Sequence, residues 1–146
     1  MVALIPASHQ DLLDRPIYVV ATTLMPDGTP QSTVVWWDYE GDTLRINTAR
    51  GRQKEKNLLR DPRITLVAVD PEDGYHWLEV RGVVESITAE GGRDHIEKLS
   101  WKYENQKYYG GFQKTKKPED ETRLIVNIRP VKVVTHVRVG RRHVTT

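Results

Sequence analysis

Apolar and polar positions fall into short blocks separated by turn residues, and most blocks read as strands. Pro6 to Asp14 is the first exception, a short helix with Ser8 as its cap and Asp11 in the capping-box position, ended by Pro16. Ile17 to Met25 is rich in β-branched and aromatic residues and predicts a strand that turns at Pro26-Asp27-Gly28. Gln31 to Tyr39 returns as a second strand, and Glu40-Gly41-Asp42 turns it into a third over Thr43 to Thr48. Connections this short predict an antiparallel meander. Gly51 to Asp61 is helical by residue type and stops at Pro62. Ile64 to Val69 is apolar enough to predict a strand buried on both faces, and Trp77 to Ile87 alternates as a half-buried one. Gly82 within it marks a bulge or a barrel corner. Glu90 to Glu104 predicts the longest helix, with Ile96, Leu99 and Tyr103 on one side, and Tyr108 to Glu121 reads as a long loop. Arg123 to His136 predicts a last strand or pair of strands, broken near Pro130, before a frayed basic tail from Arg138 to Thr146.

Six to seven antiparallel strands with two to three helices make an α+β, mainly β, domain. The short strand spacing and the glycine bend favour a small closed or partly closed barrel. The 146 residues correspond to one domain, its core over about 12–136 and its basic tail over 137–146. The absence of cysteine excludes disulfides, thiolate zinc sites, cysteine nucleophiles and iron–sulfur ligation. Charged residues make up 29% and the mean hydropathy is −0.58, yet four Trp and six Tyr argue for a folded core. No apolar run reaches the roughly 18–20 residues of a membrane helix, and Met1 to Leu13 does not read as a signal peptide, so a cytoplasmic protein is expected.

The net charge of +2 changes the picture only when the cations are located. Arg50, Arg52, Lys54, Lys56, Arg60 and Arg63 crowd the Gly51–Asp61 helix against only Glu55 and Asp61. Cations at a helix start oppose the macrodipole, at about 0.3–1 kcal/mol each. A bound phosphate would reverse that sign, because free backbone N–H groups, dipole and cations would converge on it. A solvated basic face is the other reading of the same run. Gln31, Thr33, Val35 and Trp37 share one strand face, and Ser32, Val34 and Trp36 share the other. Such residues suit a flat heterocycle beside a phosphate site, or else a core or an interface. Tyr75 and Trp77 carry the same two readings.

His9, His76, His95, His136 and His143 show no metal-ligand spacing, so no metal is expected. Nucleophile-elbow, dinucleotide-fingerprint and P-loop patterns are all missing, so any redox chemistry would come from a cofactor that the protein positions. The local nature of the basic cluster argues against a nucleic-acid partner.

Several runs together resemble a known family. They are Asp27-Gly28-Thr29-Pro30-Gln31, Val35-Trp36, Leu44-Arg45-Ile46-Asn47-Thr48, Gly51-Arg52-Gln53-Lys54 with Asn57-Leu58, and Arg60-Asp61-Pro62-Arg63. The chain resembles the pyridoxamine-phosphate-oxidase-like, FMN-binding split β-barrels, nearest to the short actinobacterial-type branch that uses the deazaflavin coenzyme F-420. The likeness runs from about Leu12 to His136, including Glu79-Val80-Arg81-Gly82. It implies a homodimer with two cofactor sites at the subunit interface and a small-molecule substrate. Carried onto this sequence, it implies cofactor-phosphate contacts at Arg52 and Lys54, with Gln53 beside them, and Asn47 and Thr48 along the phosphate and ribityl chain. Thr33, Val34, Val35, Trp36 and Trp37 would flank the ring, Asn57 belongs to the helix motif, and Trp77 would wall the pocket, from the partner subunit. The family oxidase proper is longer and carries a C-terminal arginine- and histidine-bearing substrate motif. Here Arg141-Arg142-His143 sits in a different context, which argues against vitamin B6 oxidation. Gln53 stands where the flavin enzymes usually carry an arginine, which favours coenzyme F-420 over FMN. The expected activity is hydride transfer to a conjugated or quinone-like small molecule. An FMN oxidoreductase or a non-catalytic flavin-binding protein on the same fold are the alternatives.

Overall fold

The structure, a computed structural model, describes residues 1–139 and 142–145, with side chains through His136. β1 (Val19–Leu24) and β2 (Pro30–Val35) form a hairpin in which Val19 pairs with Val35 and Leu24 with Pro30. Its turn closes through Met25 N–H to Thr29 O, while Gly28 takes the positive φ of 86° that a side chain would resist. β3 (Trp37–Glu40) and β4 (Thr43–Ala49) form a second hairpin. The single strand expected over Gln31–Tyr39 is therefore two, parted at Trp36, and the meander does not form. In the sheet order β2-β1-β5-β6-β7-β4-β3 the two pieces occupy opposite edges. One residue thus carries the chain from one edge of a half-barrel to the other.

Backbone groups at that seam find side-chain partners. Trp37 N–H donates to Tyr103 Oη at 3.1 Å, and Trp37 O accepts from Lys102 Nζ at 2.8 Å. Both partners lie on α3 (Gly92–Glu104), which packs across the opening. They also bind the N-terminal segment, Tyr103 at Ile17 O (2.7 Å) and Lys102 at Leu13 O (2.6 Å).

β5 (Arg63–Asp70) alternates buried Ile64, Leu66 and Ala68 with less buried neighbours, so it is covered on one face and not on both. β6 (Asp73–Thr88) and β7 (Arg123–Val139) are long strands shared by both halves of the barrel. The register shifts between Arg81 and Gly82 and again between Val84 and Ser86. The break expected at Pro130 is not in β7, which runs on through it. The bend is taken by its partner Gly82, where a Cβ would stand 2.6 Å from Ile128 Cγ2. Inside the barrel Trp37, Leu12, Leu13, Leu44, Ile46, Leu66, Leu78 and Ile128 are essentially inaccessible, and Trp37 Nε1 donates to Leu12 O at 3.1 Å.

The first helix is shorter than expected: a 3₁₀ turn over Ala7–His9, then α1 (Asp11–Asp14). Ser8 does not cap it, because its Oγ is turned to His9 Nδ1. α2 (Gln53–Arg60) and α3 fall where the sequence places them. In the C-terminal segment, Arg142–Thr145 pair with β7 as β8 instead of fraying. Gly140, Arg141 and Thr146 lie outside the described residues, so the Arg141-Arg142-His143 comparison is not reached. Among the described residues no helix is long and apolar enough to cross a membrane.

Candidate functional site

A cleft of about 230 Å³ opens at the Trp36 seam, between the sheet edges, the start of α2 and the face of α3. One wall is aromatic. Trp36 stacks on Tyr103 at a centroid distance of 5.4 Å and 15° between planes, and meets Phe112 edge-on at 5.0 Å. Tyr108 closes over Ile96 and Leu99 of α3. The loop that brings Tyr108 and Phe112 there is tied to α3, since Glu97 accepts the N–H groups of Tyr108 (2.9 Å) and Tyr109 (3.1 Å).

The opposite wall is cationic. Arg52 is the residue before α2, whose start carries no side-chain cap, and Lys54 lies in its first turn. Lys54 is only 9% exposed. Burial first, and then repulsion by Arg52 and Arg123, pushes its ammonium down to about 8. Among the described residues no carboxylate lies within ion-pair distance of Lys54. Arg123 enters at the start of β7, 6% exposed, with its guanidinium 5.2 Å from the Tyr108 ring centroid. Its Nε donates to Asn47 Oδ1 at 2.8 Å and its Nη1 to Glu121 Oε1 at 3.3 Å. The Glu121 carboxyl is raised by burial, but Tyr109 and the surrounding cations outweigh this and hold it below its ordinary value.

Behind this wall runs a buried polar chain. Asn47 Nδ2 donates to Gly92 O (3.0 Å) and lies 3.0 Å from His95 Nδ1, and His95 Nε2 stands 2.9 Å from Asp38 Oδ1. Arg45 grips Asp38 with two bonds, of 3.0 and 2.8 Å. Burial raises the Asp38 carboxyl, but the bonds from His95 and Arg45 prevail and bring it to about 2.

Of the residues expected from the sequence, Val34, Val35, Trp36, Asn47, Arg52 and Lys54 meet in this cleft. Thr33 and Thr48 are not among its lining residues, although each has a buried hydroxyl without a partner among the described residues. Trp37 is a core residue here. Asn57 is fully buried and serves as a joint, donating to Thr23 Oγ1 (3.0 Å) and accepting from Gln53 Nε2 (2.8 Å), so Gln53 is turned to the helix as well. Trp77 lies on the outer face of the sheet, paired with Val69 and 6.1 Å from the His136 ring, away from the cleft of its own chain. Sequence reasoning missed Arg123, Tyr108 and Phe112. The first sits alone at a strand start, and the other two sit in a loop without periodicity. Asp11, Asp70 and His76 gather within 4.8 Å, but Arg15 donates to both carboxylates and meets their charge.

An open half-barrel with an aromatic and cationic cleft at its seam defines a class of cofactor-binding split barrels. The family model described as Pyridoxamine 5'-phosphate oxidase matches residues 5–136, and the chain belongs to that family. A solved structure named F420 Reductase is 32% identical, with a TM-score of 0.76 over 88% of this chain and 98% of its own. A pyridoxamine 5'-phosphate oxidase-related, FMN-binding protein of Nostoc punctiforme shares the fold at 15% identity, with a TM-score of 0.68 over 98% of this chain and 90% of that one. General Stress Protein 26 of Bacillus anthracis does so at 14% identity, with a TM-score of 0.62 over 95% and 96%. The family, with the 32% identical F420 Reductase, supports a flavin or deazaflavin oxidoreductase, and the two more distant structures share the fold.

Proposed function

We propose that this protein is a reductase that uses the deazaflavin coenzyme F420, bound at the Trp36 seam as a homodimer. The observation that carries the reading is Lys54: a buried ammonium at the start of a helix, crowded by Arg52 and Arg123 and without a carboxylate partner among the described residues. That arrangement is unfavourable until an anion enters it. With Arg52, Lys54 and Arg123 on one wall and Trp36, Tyr108 and Phe112 on the other, the lining fits a coenzyme with an anionic side arm and a flat ring. Arg52, Lys54 and Arg123 would hold the phosphate. Val34, Val35 and Trp36 would lie along the ring, and Tyr108 and Phe112 would exclude water from its far side. When bound, the coenzyme supplies a hydride to an electron-poor double bond of a conjugated or quinone-like acceptor. The protein contributes orientation and dryness. Three cations lining one cleft, two of them buried, suit a small anion better than a nucleic-acid backbone.

The dimer is supported by the outer face of β1, β2 and β5. Val34 and Val20 are cross-strand neighbours, 65% and 41% exposed, and Tyr18 and Val69 extend the row at 57% and 43%. Val34 also lines the cleft, so a second copy on this face would wall its open side. Trp77 lies on the same face and would be the partner's contribution.

Reduced coenzyme F420, mixed with the protein and a panel of quinones and enones, should be reoxidised with saturation in both reactants. No turnover with any acceptor, with the coenzyme nevertheless bound, would favour a carrier or sequestering protein.

A further inference from the structure

The bond directions around Asn47 can be assigned without ambiguity. Arg123 Nε–H can only donate and the Gly92 carbonyl can only accept, so Asn47 turns Oδ1 to the arginine and its NH₂ to Gly92 and His95. His95 Nδ1 therefore accepts from that NH₂, and the ring carries its proton on Nε2, directed at Asp38. Asp38 in turn is fixed by two bonds from Arg45. The groups facing His95 are Asp38 and Asn47, and the Lys98 ammonium stands 3.8 Å from the Asp38 carboxylate. Asp38, His95, Asn47 and Arg123 are all buried, and each has its polarity set by the next. The chain ends on a guanidinium that lines the cleft.

We propose that His95 is a positioning residue of this site. Held as the Nε2–H tautomer by Asp38, it locks the Asn47 amide and thereby aims Arg123 at the bound coenzyme's anionic group. A ring with its proton on Nδ1 would oppose the Asn47 NH₂. The amide would have to flip, and its NH₂ would then face Arg123 Nε–H, donor against donor. This inference rests on the coenzyme reading above, and its test separates the two.

Affinity is measured for coenzyme F420 and for its deazaflavin–ribityl fragment, which lacks the phosphodiester, in wild type, His95→Phe and His95→Asn. His95→Phe removes the acceptor facing Asn47 and should lose tenfold or more in affinity for the coenzyme, with less than a twofold change for the fragment. His95→Asn can return an acceptor near the Nδ1 position and should recover most of the loss. Equal losses for both ligands, or no loss for either, would overturn the proposal. The tautomer is read independently from long-range ¹⁵N–¹H correlation spectra of the wild-type protein. A pyridine-type Nδ1 is expected for His95, and a protonated Nδ1 at neutral pH would overturn the proposal even if His95→Phe does not fold. Failure of wild type to bind the coenzyme at all would instead sink the coenzyme reading, leaving the tautomer to decide whether His95 sets Asn47.

Discussion

Lys54 is the residue at which stability and binding pull in opposite directions. Its ammonium is held near 8, below the ordinary 10.5, by burial and by two neighbouring arginines. The unfolded chain therefore keeps more protons than the fold between those two values. The ligand-free protein gains stability from this group as pH rises through that window, and below pH 8 the cost of the buried charge is fully present. Lys54→Met removes the charge and keeps the volume. It should raise the ligand-free stability by about 1–2 kcal/mol, read as a Tm increase of roughly 2–8 °C near neutral pH. The same change should weaken the coenzyme by about 1.5–3 kcal/mol through loss of a charge-assisted bond. Wild-type affinity should fall as pH passes upward through 8, and the variant should lack that step. A variant that is both less stable and equally able to bind would show that Lys54 is a structural lysine.

At the scale of elements, the site depends on how closely α3 approaches the start of β7. Gly92 opens α3, and a Cβ there would lie 2.0 Å from Arg123 O and 2.6 Å from its carbonyl carbon. The same residue's carbonyl accepts from Asn47. Gly92→Ala must therefore push the helix from the strand just where Arg123 enters the cleft, against backbone that cannot rotate away. A loss of about 1–3 kcal/mol in unfolding free energy is expected, checked by urea denaturation. Coenzyme affinity should fall with it. The same contacts explain what could be read in the sequence. α2 and the first hairpin were legible because their signals are local: a proline stop, a turn glycine, strand alternation. The break at Trp36 was not, since no proline or glycine interrupts Gln31–Tyr39 and the backbone there is satisfied by Tyr103 and Lys102, more than sixty residues away. Asn57 belongs to the cofactor motif by sequence, yet its amide ties α2 to Thr23. Motif membership does not distinguish a ligand contact from the joint that places one.

At the scale of the whole molecule, the cleft of one chain is smaller than the roughly 300–1,000 Å³ typical of sites that enclose a ligand. Its open rim continues into the exposed row of Val34, Val20, Tyr18 and Val69. In the proposed dimer, a second copy on that row closes the site. Sedimentation should give twice the 16.8 kDa chain mass, and Val20→Asp should shift the protein toward monomer. A clean wild-type monomer would remove the shared site and Trp77 from the account.

The family was legible from motifs spread along most of the chain, whereas Arg123, Tyr108 and Phe112 became visible only when the fold brought β7 and the 108–113 loop to α2. The most direct test is a fluorescence titration of the wild-type protein with coenzyme F420 and, separately, with FMN. Saturable binding of one F420 per chain at micromolar concentration, with FMN weaker by tenfold or more, is the expected result. Binding of neither would contradict the assignment of this cleft as a coenzyme site.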